Sequence, residues 1–310
     1  MLRYAARRVL LTGAQLVALA VATFLLTALL PGDAADTAFN EQAGPEQIAR
    51  LRHEMGLDRP LAVRFASWAG GLLRGDLGTS YLGHRPVTAI IASSFGATAT
   101  LALVTATILL PLALGLGLAM GLREGGRTDR VISAVTLALT AIPDFVLALA
   151  LVAVFSLRLG WLPSAWVGVE SGPALYVLPV AVLLARTVSH FSRQIRAGTR
   201  TALHAGYTVQ ARRLGVPRVP LVLRHVLPNA VVPGVQELAR TGDQLIGGVL
   251  VVEAVFAIPG MATALIGAVQ SRDVPTVQGL TLLLAAVALL LNLVADLVCR
   301  RLSPRTEVLR

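Results

Sequence analysis

Seven charged residues lie inside runs of the chain that are otherwise apolar. Asp144, Arg186, Glu237, Arg240, Asp243, Glu253 and Asp296 each interrupt a long run of Leu, Ile, Val, Ala and Gly. On insertion scales an intramembrane charge costs about 2.5–3.5 kcal/mol, so each needs a reason to be there. Glu237, Arg240 and Asp243 recur at every third position and fall on one helical stripe. Two readings stand: an ion-paired stripe packed against a neighbouring protein, or a polar wall along which charged cargo passes. Asp144 directly follows Pro143. It either faces a cavity or, as the preferred reading, bonds backbone groups freed at a proline kink. Glu253 either orders an external gate or snorkels to water, Arg186 reaches the cytoplasmic interface in the same way, and Asp296 pairs with Arg300. All of these groups handle charge. None belongs to a constellation that makes or breaks bonds.

Composition removes whole classes of catalyst. All 27 basic residues are Arg, so a phosphate-cradling GxxxxGK[ST] loop and a Lys Schiff base are both impossible. The five His (53, 84, 190, 204 and 225) form no HExxH or other metal spacing, and no GxSxG is present. No catalytic, cofactor-binding or metal site is expected. Cys299 is the only cysteine, so no intrachain disulfide can form.

The elements that must hold these charges are membrane helices. The chain is 55% hydrophobic and 14% charged over 310 residues, and a helix needs roughly 20 apolar residues to cross a bilayer core. Six segments qualify, at about 9–30, 97–122, 131–157, 174–192, 230–256 and 278–298. Each must satisfy its own backbone hydrogen bonds in lipid, so the expected fold is all-α with six spans. The first run is too long for the core of a secretory signal and is read as a retained span. Pro111, Pro143 and Pro179 are expected to mark kinks, and Gly115 and Gly117 to permit close packing.

Six spans put both ends on one side. One set of loops holds 17 Arg against the acids Glu124, Asp129 and Glu307, whereas the other mixes eight Arg with nine acids. The Arg-rich face is cytoplasmic by the positive-inside rule. The net charge of +10 is therefore topological and does not point to nucleic acid. The chain divides into an N-terminal span (1–30), an external region (31–95), a five-helix core (96–300) with a cytoplasmic loop at 193–229, and a tail (301–310). That loop holds HAGYTVQARRLGVP, read as a short helix over 204–215 ended by Gly215 and Pro217. Tyr207, Ala211 and Leu214 fall at i, i+4 and i+7 on one face, with Arg212 and Arg213 beside it. Such a helix either lies on anionic lipid or seats in a groove of a soluble partner.

The stretch 207–233, YTVQARRLGVPRVPLVLRHVLPNAVVP, resembles the coupling region of binding-protein-dependent permeases. Ala211 matches the last Ala of that family's EAA motif, Gly215 its Gly, and Leu227 with Pro228 the closing pair. Tyr207, Arg212, Arg224, His225, Asn229, Ala230 and Pro233 match the peptide-carrying subgroup. Val209 replaces the acidic first position of the general motif, as peptide-type members commonly allow, while Arg213 and Leu214 depart from the subgroup. MGLDRPLAVRF (55–65), RGDLGTSY (74–81), VVEAVFAIPGM (251–261), RDVPTVQG (272–279) and SPR (303–305) resemble further pieces of that subgroup, in the same order.

The resemblance, to B-type permeases of the dipeptide, oligopeptide and nickel importers, implies the type I permease fold. It also implies a second homologous permease, two ATP-binding subunits that hold ATP and Mg, and an external substrate-binding protein. Helix 204–215 would sit on one ATP-binding subunit. Glutathione or nickel cargo on the same scaffold, or a proton-coupled carrier using Asp144 or Asp243, are the alternatives.

Overall fold

The computed structural model describes residues 2–29, 45–166 and 172–302; at some helical positions, 235–246 and 299–302 among them, it describes the backbone alone. Among the described residues every regular element is a helix, apart from one isolated bridge between Thr79 and Pro86. The chain forms two compact units, one from residues 1–98 with 259–289, the other from 99–258 with 290–310.

The first unit contains α1 (Leu2–Leu29), α2 (Pro45–Glu54), α3 (Leu61–Leu73), the opening turns of α4 (Val87–Leu122), the short apolar α11 (Met261–Gln270) and the first half of α12 (Val274–Leu302). Phe24 of α1 packs against Phe65 and Trp68 of α3, with ring centroids 5.1 and 5.4 Å apart. Two of the motifs read in the sequence meet here. Asp273, buried at the start of α12, accepts hydrogen bonds from Ser80 Oγ at 2.6 Å, the Tyr81 N–H at 2.9 Å and Thr276 Oγ1 at 2.6 Å. Gln278 Nε2 donates to Thr27 Oγ1 at 2.7 Å, and Gly279 leaves room for Val87, whose Cγ1 would lie 2.5 Å from an added Cβ.

The second unit holds the rest of α4, α5 (Arg127–Ala141), α6 (Asp144–Leu151, continuing in wider π-type turns to Arg158), α7 (Ala174–His204), α8 (Gly206–Arg213), α9 (Arg218–Leu221, continuing through such turns to Val226) and α10 (Leu227–Val255). α7 forms its centre. Phe191 and Ile195 pack with Leu109 and Ala113 of α4 in an apolar core. Gly117 and Gly121 allow α4 to touch α7, because a Cβ would lie 2.6 Å from Ile195 Cβ at the first and 2.5 Å from Thr199 Cβ at the second. Gly198 does the same between α7 and α10, 2.6 Å from the Ala230 carbonyl oxygen. The expected pair Gly115 and Gly117 is thus corrected to Gly117 and Gly121. Nothing lies within 4 Å of a Cβ at Gly115, which looks away from the contact.

The described residues of all six predicted spans are mainly helical, with two corrections. α1, α4, α7 and α12 are long and apolar enough to cross a membrane, and α10 fills the fifth predicted span with 29 residues that include four charges. The third span, expected as one kinked rod, is a pair of helices bent by 101°. Pro143 lacks an N–H and forces Ile142 out of the helical region, to ψ 125°, so α5 ends there and α6 restarts at Asp144. Pro111 and Pro179 lie inside continuous helices. The 193–229 loop is no loop: α7 runs on to His204, because polarity ends the apolar run without ending helix propensity.

Candidate functional site

The short helix read from HAGYTVQARRLGVP is α8, two residues tighter at each end than predicted. A single extended residue, Ala205 (φ −66°, ψ 141°), separates it from the end of α7. At its other end, the Gly215 N–H bonds the Arg212 carbonyl at 3.1 Å and the Val216 N–H bonds the Ala211 carbonyl at 3.2 Å. That is a Schellman cap, which needs a left-handed residue at its glycine position. Gly215 supplies it, with a φ of 81°. Pro217 then precedes α9 as its N-cap residue, its ring fixing φ at -59°. The helix is held at both ends by backbone geometry, with no slack residue.

One expectation about its faces is corrected. Tyr207 and Leu214 are exposed, at 46% and 75%, but Ala211 is buried together with Thr208. At about 100° per residue, Ala211 sits about 40° from Tyr207 and about 60° from Thr208. Its single methyl is too short to reach past its neighbours, so it packs inward. The outward face is therefore Tyr207 and Leu214 with Gln210, flanked by exposed Arg212 and Arg213. Val219 and Leu223 of the following segment add exposed apolar surface, at 69% and 55%. Leu227 is half-buried and Pro228 exposed at the first turn of α10, where Pro costs no hydrogen bond.

The base that carries α8 is stiff. Asp129, whose side chain is 4% exposed, meets Arg196 of α7: Nη2 donates to Oδ2 at 2.7 Å and Nε lies 2.7 Å from Oδ1. The same carboxylate accepts the Gly125 N–H at 3.0 Å. One turn further along α7, Arg200 Nε lies 2.8 Å from Glu124, and His204 lies 3.9 Å from the same carboxylate. This ion pair combines one charge-assisted hydrogen bond with a second close N–O contact, and such bonds are among the strong ones. α5 is thereby tied to the end of α7 from which α8 hangs. Between α8, the end of α7 and the start of α10 lies a cavity of about 420 Å³ lined by Thr201, Tyr207, Asn229 and Pro233 among others.

The charges inside the spans are placed unevenly. Asp144 opens α6 and its Oδ2 lies 3.8 Å from Arg186 Nη1, in place of the expected backbone bond at the kink. Glu253 is fully buried and partnered, so it does not snorkel. Asp296 is half-buried, and Arg300 is among the positions described by backbone alone. The side chains of Glu237, Arg240 and Asp243 lie outside the described residues, though all three sit on the backbone of α10.

Residues 112–308 match the family described as the binding-protein-dependent transport system inner membrane component, and residues 1–102 match its N-terminal family. The chain belongs to this family. Within it, the chain is similar to the glutathione transport system permease protein GsiC of Salmonella typhi, 37% identical over 306 residues, 98% of each chain. It is also similar to a protein of Brucella abortus provisionally named a peptide transport system permease, 32% identical over 293 residues, 93% of each. Among solved structures, one chain of an amino acid ABC transporter crystallised with histidines superposes with a TM-score of 0.54. It is 18% identical, covering 69% of this chain and 94% of that one, a likeness of fold.

This permease is thus a multi-pass membrane component of an ABC importer. Sequence reasoning found α8 and its cap. It missed the Asp129–Arg196 pair, 67 residues apart, for which no local spacing gives a signal. The four-residue spacing of Gly117 and Gly121 was the clue to the α4–α7 contact.

Proposed function

We propose that this chain is a channel-forming permease subunit of an ATP-driven peptide importer, and that α8 is its coupling helix. The observation that carries this is the construction of α8: an exposed apolar and basic face, joined to α7, its stalk, through one extended residue and closed at its other end by a Schellman cap. In this reading Tyr207 and Leu214 seat in a cleft of an ATP-binding subunit, with Arg212 and Arg213 at its rim. Closure of two ATP-binding subunits around ATP and Mg pushes α8. The stalk, cross-braced by Asp129–Arg196 and the glycine contacts, passes that displacement to α5, α6 and α10 and rocks the path open to the outside. Hydrolysis resets it. The chain supplies no ATPase site of its own, since it has no Lys for a phosphate loop.

The rest of the assembly is a second homologous permease, two ATP-binding subunits and an external substrate-binding protein, with lipid around the spans. Both ends of this chain face the cytoplasm, on the Arg-rich side. Cargo is a peptide of few residues. Glutathione, itself a tripeptide, is the second reading, favoured by the 37% identity to its permease. Proteoliposomes holding the co-purified complex, fed substrate-binding protein loaded with a dipeptide or with glutathione, test both. ATP-dependent accumulation of one cargo selects it. Failure of the chain to co-purify with an ATPase pair contradicts the proposal.

A further inference from the structure

Arg186 is ten positions before Arg196 and twelve after Ala174, the first residue of α7. At about 1.5 Å per residue it lies roughly 15 Å from the Asp129–Arg196 pair and roughly 18 Å from the start of the helix. With a core of about 30 Å, that is mid-membrane depth. Asp144 meets it there, at the break between α5 and α6. Broken helices at the midplane are where transporters expose polar groups to cargo.

Three features separate this pair from a structural tie. Its separation of 3.8 Å contrasts with the 2.7 Å to which Arg196 and Asp129 close, and is too long for a hydrogen bond. The Arg186 side chain is 51% exposed on the surface of this chain, at a depth where a charge facing lipid is strongly disfavoured. That surface therefore borders a water-filled path or another polar group. Across from Asp144, α10 presents Gly248, where an added Cβ would stand 3.8 Å from Oδ2, so no side chain covers the carboxylate from that position.

We propose that Asp144 and Arg186 form a relay site for the main-chain charges of a zwitterionic peptide, resting on the peptide reading above. Asp144 accepts the α-ammonium group and Arg186 takes the carboxylate with its forked donors. The loose pair keeps each charge neutralised while the path is empty and parts as cargo enters. No bond is made or broken. The free energy of separating the pair is offset by two new charge-assisted contacts.

The test uses the whole complex in nanodiscs, trapped with ATP and vanadate, and measures equilibrium binding of labelled alanyl-alanine, its N-acetyl form and its C-terminal amide. Wild type should hold the free dipeptide roughly tenfold more tightly than either blocked form, the scale of one charge-assisted hydrogen bond. Asp144→Asn should erase only the preference over the acetyl form, and Arg186→Gln only the preference over the amide. Co-purification of the second permease should be unchanged in both. Preferences that survive in both variants, or no dipeptide binding to wild type, overturn the proposal. So does loss of the second permease, which would make the pair a subunit contact. Wild-type proteoliposomes that accumulate no peptide with any binding protein would instead sink the peptide reading itself.

Discussion

Among the buried carboxylates of this permease, Asp273 in one compact unit and Asp129 in the other are neutralised in different ways. Asp273 is caged by neutral donors: two hydroxyls and a backbone N–H within 2.9 Å. Asp129 is held by a cation on another helix, with one backbone N–H in support. Neutral dipoles at short range rivet a loop to a helix end, and the only formal charge in the knot is that of Asp273 itself. An ion pair between helices makes each partner depend on the other's position, because separation leaves a charge uncompensated. The Asp273 knot is suited to holding shape, the Asp129 knot to carrying displacement.

Breaking each knot should therefore give different failures. Asp129→Asn should lower uptake per ATP hydrolysed by roughly tenfold, within the roughly 0.5–2 kcal/mol that residues along a coupling route carry. Asp273→Asn should leave that ratio intact but lower stability by about 2 kcal/mol, as donors are turned toward an amide N–H₂. Uptake and ATPase rates in proteoliposomes, with thermal unfolding in detergent, separate the two. Equal losses of ratio would erase the distinction.

Packing sharpens the contrast. Gly121→Leu should destabilise by about 1–3 kcal/mol through overpacking against Thr199, while Gly115→Ala should change stability by less than about 0.5 kcal/mol. Gly215→Ala should cost about 1–2 kcal/mol, entirely from the left-handed backbone, since the space around it is open. That loss should show as reduced retention of the ATPase pair on purification. The smallest effect belongs to Glu124→Gln, which should alter unfolding by about 0.5 kcal/mol at most, the scale of a solvated ion pair. Its Arg200 partner is largely exposed.

The spans were legible because apolar runs of about 20 residues have few other uses, and the capped α8 because Gly and Pro punctuate it. Helix ends beyond the lipid were not. α4 begins at Val87, ten residues before its apolar run, and α7 outlasts its own by twelve, since backbone hydrogen bonding continues after hydropathy falls. The outward placement of Tyr207 and Leu214 follows from period alone, whereas the burial of Ala211 needed the neighbouring segment. Asp144, Arg186, Asp129 and Arg196 were visible as residues but not as pairs, because their partners are set by how the helices pack.

The central claim is that α8 delivers work to a bundle that has no fuel of its own. Tyr207→Ala combined with Leu214→Asp removes its outward apolar face without touching the cap glycine, the stalk or the spans. ATP-driven uptake by the reconstituted complex should fall to background while the variant still reaches the membrane and unfolds at the wild-type temperature. Uptake at the wild-type rate would contradict the account.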